Sequence, residues 1–275
     1  MPLPAIHGTC NVQYSECVMP VTEAKLEQQE ATATVPAEAD EVEYPDHLWA
    51  KQSLRHQAAG RFATNALEQH FDACNDVLVA SEFVLYYRRG DNQSALQPDV
   101  QVAFGVPSAR ARSADEGRVY KLWEEGKVPD FVLEVASPST AKRDAGPKAL
   151  LYAAIGVREY WRLDPEGTLM ERALEGYRWQ AGRYEPVASV ERDGSETLRS
   201  EVLGLDLCAA HQDGSTFLVF RDPQTGEEFD GRPEVAEQRR RLAEIEARAA
   251  REEAQELKRQ IRELKGQDSS MGRDF

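Results

Sequence analysis

A mixed α/β fold is what this sequence predicts, and three observations carry the prediction. Phe131–Ala136 is an apolar run broken only by Glu134. A helical stretch, Ala141–Ile155, follows it. Arg158–Leu163 is a second β run, and behind it residues 168–221 alternate short β-like segments with glycine turns. Strands flanking a crossover helix, with a β-rich stretch after them, build a mixed sheet flanked by helices.

The elements follow in chain order. From about Trp49 to Phe71 the apolar residues Leu54, Ala58, Phe62, Ala66, Leu67 and Phe71 recur at helical spacing, and Asn75-Asp76 ends the pattern. Val77–Ala80 and Phe83–Tyr87 are rich in β-branched and aromatic residues and predict strands. Arg89-Gly90-Asp91-Asn92 is a turn signal, and Gln97–Gly105 is the next strand, entered through Pro98. Residues 107–128 are polar, with one short helix predicted over Arg118–Glu125. Ser137-Pro138-Ser139-Thr140 closes the Phe131–Ala136 strand and caps the helix that Gly156 terminates. Asp164-Pro165-Glu166-Gly167 ends the following strand, and an antiparallel meander is expected over 168–221.

Composition divides the 275-residue chain into four parts. Residues 1–44 carry a net charge of −7 in a stretch of Ala, Thr, Glu and Pro without periodicity, so a disordered acidic tail is expected. Residues 45–233, net −8, are the folded domain. In 234–265 the residues Ala243, Ala247, Ala250, Ala254, Leu257, Ile261 and Leu264 step by four and three, which is a heptad seam. This segment is expected to be a long C-terminal helix, either exposed and single or paired as a coiled coil that makes a homodimer. Residues 266–275 are a second short tail. The overall charge of −15 argues against a chain that coats nucleic acid through bulk charge, but leaves room for a local basic groove. No stretch nears the roughly 18 apolar residues of a membrane span, and the first twenty residues lack the pattern of a secretory signal. Cys10, Cys17, Cys74 and Cys208 are scattered, and six residues separate the first two, so reduced thiols in a cytoplasmic protein are expected rather than a zinc knuckle.

Two carboxylates stand in strand contexts. Asp99 opens the Gln97–Gly105 strand, and Glu134 lies inside the Phe131–Ala136 strand. A buried charge is costly unless it meets a partner or a metal. If these strands are neighbours, both carboxylates face one site, and two hard oxygen ligands suit Mg²⁺, with Mn²⁺ as an alternative. The rival for Glu134 is a carboxylate satisfied by an arginine or by backbone donors. Lys148 lies on the helix after Glu134's strand, where an ammonium can orient a water and stabilise charge on a phosphate. Its rivals are an ordinary exposed lysine and an ion pair with Asp144, four residues before it. Lys142 is a further candidate nearer the strand end. Phosphate-binding glycine loops, Gly-x-Ser-x-Gly elbows and His-Glu-x-x-His helices are absent from the sequence.

These residues carry a family resemblance. Pro98-Asp99-Val100, then Pro129-Asp130-Phe131-Val132-Leu133-Glu134-Val135-Ala136-Ser137-Pro138-Ser139-Thr140, Arg143-Asp144, Lys148, Tyr152, Gly156-Val157, Glu159-Tyr160-Trp161 and Asp164-Pro165 resemble the Uma-two family. That family belongs to the restriction-endonuclease-like, PD-(D/E)XK superfamily, and the resemblance spans roughly residues 50–215. It implies a restriction-endonuclease-like mixed sheet and a metal-dependent phosphodiesterase acting on DNA. Asp99 matches the Asp of the second superfamily motif and Glu134 the Glu of the third. Ala136 stands where that motif usually has Lys, and Lys148 matches the replacement typical of the family. The resemblance further implies the backbone carbonyl of Val135 as a metal ligand, Asp144 as the partner of Lys148, and His56 as a supporting histidine of structural character. A first-motif acid is unassigned, with Glu68 and Glu82 as candidates.

The function expected is therefore a Mg²⁺-dependent DNA endonuclease. Arg88, Arg89, Arg110, Arg112, Arg118 and Lys121 either line a nucleic-acid groove or form a solvated face, and Trp161 and Trp179 are expected in the core. The alternative is a catalytically silent nuclease fold that self-associates or binds a partner through 234–265. A hydrolase of small phosphodiesters is a third reading.

Overall fold

The computed structural model describes residues 42–45, 53–108, 117–192, 194–238 and scattered positions from 240 to 258. The expected tails at 1–41 and 266–275 lie outside the described residues, as do Cys10, Cys17, Arg110 and Arg112. The chain divides into two units, 1–231 and 232–275.

The first unit begins with helix α1 (Leu54–His70), whose Ser53 cap accepts the His56 N–H. Its buried face is His56, Ala59, Gly60, Ala63, Ala66 and Leu67, joined by Phe62 and Thr64. Phe62, Ala66, Leu67 and Phe71 of the predicted stripe are buried, Ala58 is half-buried and Leu54 is 85% exposed. Ala59, Gly60 and Ala63 join the inner face because small residues let the helix approach the sheet closely. Residues 49–52, at the predicted start, lie outside the described residues.

The strands are β1 (Val77–Ser81), β2 (Val84–Tyr86), β3 (Ala95–Leu96), β4 (Val100–Phe104), β5 (Val119–Lys121), β6 (Phe131–Val135), β7 (Glu159–Leu163), β8 (Leu174–Gln180), β9 (Arg183–Pro186), β10 (Ser189–Arg192), β11 (Ser195–Ser200), β12 (Leu205–Gln212), β13 (Ser215–Arg221) and β14 (Glu228–Phe229). Three sheets form. A six-stranded sheet runs β1-β4-β6-β7-β8-β9, a five-stranded one runs in sequence order from β10 to β14, and β3-β2-β5 make a small third. In the six-stranded sheet β6 and β7 are parallel and the remaining neighbours antiparallel, so the mixed sheet expected from the sequence is present. The predicted helix over 118–125 is instead strand β5 followed by one turn of helix, α2 (Leu122–Glu125). Val119–Lys121 finds a parallel partner in β2, and that pairing overrides the local signal.

The β6–β7 crossover is helical from 141 to 155. It consists of α3 (Ala141–Arg143), a π-turn (Asp144–Lys148) and α4 (Ala149–Ile155). Gly156 ends it in the left-handed conformation with φ +91°, as the sequence predicts. Pro147 explains the π-turn: it has no N–H, and its ring would collide with the carbonyl four residues back in a regular α-helix. The meander expected over 168–221 divides between two sheets. Its hairpins at Ala181-Gly182 and Asp213-Gly214 have positive φ at both loop residues, the geometry a two-residue type I′ turn requires.

Strand alternation sends side chains into two cores. Phe131, Leu133, Val135, Val100, Val102 and Trp161 join α1 and the five-stranded sheet on one face. Val132, Ala103, Leu78, Tyr152 and Tyr160 pack with the crossover helix on the other. Segment 42–45, at the predicted boundary of tail and domain, docks on the small sheet. Tyr86 donates to the Pro45 carbonyl at 2.6 Å, and the Tyr44 ring lies edge-on to Tyr86 at 4.9 Å. In the second unit, residues 233–238 and every described position from 240 to 258 are helical. Of the predicted seam, Ala247 and Ala254 are described, both exposed, and the other seam residues lie outside the described residues. An exposed helix is what these positions support, not a paired coil or a dimer.

A Cβ on Gly176 would sit 2.4 Å from the fully buried Trp161 ring. Gly176→Ala is therefore expected to lose about 2 kcal/mol or more, measured by urea unfolding, because the indole has no free space to retreat into.

Candidate active site

Strand β6 turns Phe131, Leu133 and Val135 toward α1, which leaves Glu134 facing the crossover helix in a buried position. Both oxygens of that carboxylate are engaged. Lys148 Nζ donates to Oε2 at 2.8 Å and Tyr152 Oη to Oε1 at 2.7 Å. Lys148 and Tyr152 are four residues apart across the start of α4 and so share a helix face. The lysine has a second partner: its Nζ is 3.0 Å from Asp144 Oδ1. That contact is an ion pair without hydrogen-bond alignment, so both Asp144 oxygens are buried with no hydrogen-bond partner. Tyr160 fixes the turn by donating to the Asp144 carbonyl at 2.8 Å.

Asp99 sits one residue ahead of β4. The pairing of Val100 with Leu133 brings the start of β4 to the end of β6. The Val135 N–H donates to Asp99 Oδ2 at 2.7 Å, which ties the loop before β4 to the end of β6. From α1, His56 Nε2 lies 3.4 Å from the same oxygen, and the ring also bonds the Val135 carbonyl. Gly60, one helical turn on, closes over Asp99 with room only for van der Waals contact at a Cβ.

The charges perturb one another. Burial pushes the Glu134 carboxyl up to about 8; the Lys148 ammonium opposes the shift, while Asp99 and Asp144 add to it. Burial works against the Lys148 charge, but Glu134 and Asp144 outweigh it and hold the ammonium above the usual lysine range. For His56 burial lowers the affinity for a proton, and the hydrogen bond and charge of Asp99 overcome that, so its pKa is raised.

Glu134, Lys148, Asp144 and Tyr152 form one group under the crossover helix, Asp99, His56 and Val135 form a second toward α1, and the Glu134–Val135 peptide joins the two. Of the rivals for Lys148, the exposed lysine is set aside by its burial, and the ion pair with Asp144 is present. Lys142 is exposed in α3. Of the first-motif candidates, Glu68 is on the exposed side of α1, and the Glu82 carboxylate lies beside Arg118 at 3.7 Å. Among the groove candidates, Arg88, Arg118 and Lys121 each pair with a local acid, respectively Asp91, Glu82 and Glu124. Trp161 is in the core as predicted, and Trp179 donates to the Ala153 carbonyl at the end of α4.

Sequence reasoning gave Tyr152 no role and left out Gln101 and Arg162. Gln101 is fully buried on β4, with neither amide atom hydrogen-bonded. Arg162, opposite Glu134 on β7, bonds Glu175 and the Ala141 carbonyl. Tyr152 was marked by its place in the family pattern and by the four-residue step from Lys148; nothing in the sequence marked the other two.

Asp99, Glu134 and the Val135 carbonyl thus lie close to the end of β6, with an ammonium on Glu134. Hard oxygen donors of this kind suit a divalent cation. Three buried acids share the one Lys148 ammonium and His56, and that excess of negative charge is what a cation would offset.

Comparison with known proteins gives the following. The family model described as Uma2, putative restriction endonuclease, matches residues 47–210. A crystal structure of a putative nuclease belonging to DUF820 from Anabaena variabilis ATCC 29413 is 18% identical, covering 55% of this chain and 76% of that one, with a TM-score of 0.36. No curated protein matches the chain.

Two stability predictions follow from the charges. Lys148→Met leaves Glu134 and Asp144 buried without a counter-charge, which is expected to cost roughly 3–5 kcal/mol near pH 8. The deficit shrinks on acidification as the carboxyls take up protons. In the parent, the unfolded chain releases the Glu134 proton near 4.5 and the folded chain near 8. Between these values the folded state holds more protons, so this group's contribution makes stability fall as pH rises. Urea midpoints in EDTA across that window should therefore fall more steeply for the parent than for Glu134→Gln.

Proposed function

The chain belongs to the Uma2 family of putative restriction endonucleases, and on that footing we propose that it is a divalent-metal-dependent DNA endonuclease. The observation that supports this best is the burial of Glu134, held by Lys148, next in the chain to Val135, whose N–H holds Asp99 at the end of β6. Asp99, Glu134 and the Val135 carbonyl would hold Mg²⁺ or Mn²⁺. When bound, the cation supplies Lewis acidity at a phosphoryl oxygen and makes water easier to deprotonate.

The protein's own groups do the positioning. Val135 N–H and His56 fix Asp99, and Tyr152 fixes the Glu134 oxygen that Lys148 leaves. Asp144 keeps the Lys148 ammonium charged and directed along the sheet end. The ammonium is a hydrogen-bond donor with no proton to accept. It orients the attacking water and stabilises the charge that develops on the phosphate during in-line displacement. Hydrolysis breaks one P–O ester bond, and water supplies the new P–O bond.

The test is nicking and linearisation of supercoiled plasmid in Mg²⁺, Mn²⁺ or EDTA. Cleavage is expected only with metal. Asp99→Asn and Glu134→Gln should each lower the rate about a thousandfold, which corresponds to about 4 kcal/mol of lost transition-state stabilisation. Metal-dependent cleavage that persists at the parental rate in both variants would overturn the assignment.

A further inference from the structure

Lys148 is shared between two buried carboxylates that are not equivalent. On Glu134 it competes with any cation that the carboxylate binds, because its Nζ occupies Oε2 at 2.8 Å. On Asp144 it finds an acceptor 1% exposed, 3.0 Å away, whose oxygens make no hydrogen bond. The lysine side chain is itself only 14% exposed, so an ammonium leaving Glu134 has little access to water and needs another anion. The Asp144 carboxylate is that anion, already 3.0 Å from the ammonium.

We propose that Lys148 is the counter-ion of Glu134 in the metal-free protein, and that a divalent cation entering beside Glu134 displaces the ammonium onto Asp144. The inference rests on the metal-binding reading above. Glu134 then exchanges one cation for another and is not left bare, and Lys148 exchanges one carboxylate for another. Tyr152 keeps its hydrogen bond to Oε1 throughout, so the carboxylate does not rotate as its partner changes. Asp144 is a positioning residue in this scheme and acts only through the lysine. Asp144 stands four residues before Lys148, and that spacing places the receiving carboxylate on the lysine's side of the helix.

The experiment is calorimetric titration of the full chain with Mn²⁺ alone, at one pH, for the parent, Lys148→Met, Asp144→Asn and the double variant. Lys148→Met removes the competitor and is expected to bind Mn²⁺ about tenfold more tightly or better. Asp144→Asn removes the receiver, and binding is expected to weaken by about tenfold. In the Lys148→Met background, Asp144→Asn is expected to change affinity by less than about twofold, because there is no ammonium left to receive.

An Asp144→Asn loss of the same size in both backgrounds overturns the exchange, since Asp144 then acts through its own charge or as a ligand. Parental affinity in Lys148→Met also overturns it, while leaving the metal site in place. Absence of Mn²⁺ binding in every chain overturns both the exchange and the metal reading. Should Lys148→Met not fold, Lys148→Gln replaces it in the same four-chain comparison, with the same outcomes supporting or overturning the exchange.

Discussion

Glu134, Lys148 and Asp144 put three charges into the interior at the end of one strand, and much of the surrounding architecture serves to hold them there. Removing such groups from water costs several kcal/mol per ion, which their attraction offsets only when geometry and hydrogen bonds are favourable. Here the offset is incomplete, since Asp144 has no hydrogen bond to its side chain. The parallel β6–β7 pair supplies the rigid base, and Tyr152 and Tyr160 brace the crossover helix against it. A core of apolar residues in the same volume would be more stable. The site is held at a cost that the apolar packing on both faces of the sheet outweighs.

Other buried acids show what a purely structural carboxylate looks like. Asp164 accepts four backbone N–H groups, from Glu166, Gly167, Leu169 and Met170. Glu159 takes the Trp161 indole, the Ser200 hydroxyl and the Glu201 amide, and so joins the six-stranded sheet to the five-stranded one. Asp130 holds the Phe104 N–H and Lys127. Each of these acids accepts at least one backbone N–H. Glu134 is held by two side chains, Lys148 and Tyr152, and that difference in satisfaction separates the two kinds of acid better than burial does.

The central elements were legible in the sequence because their signals are local. Phe131–Ala136 is apolar on both faces, Gly156 is the left-handed cap its position demands, and Glu134 stands out as the one charge in its strand. The grouping of Asp99 and Lys148 with it was legible through the order of the motifs. What escaped depends on tertiary contact. The inner face of α1 keeps Phe62, Ala66, Leu67 and Phe71 of the stripe but takes His56, Ala59, Gly60 and Ala63 in place of Leu54, because close approach to the sheet decides the rest. Val119–Lys121 becomes a strand only because β2 is beside it. Gln101 and Arg162 are polar residues in strands whose neighbours no local pattern names.

The π-turn has a consequence for how related chains should be compared. A π-turn is a regular helix with one residue inserted, and here the inserted turn lies immediately ahead of the α4 face that carries Tyr152, with Lys148 as its last residue. Deleting Pro147 would allow an ordinary α-helix and rotate α4 by about 100° relative to α3. Lys148 and Tyr152 would both swing away from Glu134 while the flanking strands stayed unchanged. A one-residue gap at this point in an alignment is therefore a change of chemistry, and two chains that match on either side of it do not share a site.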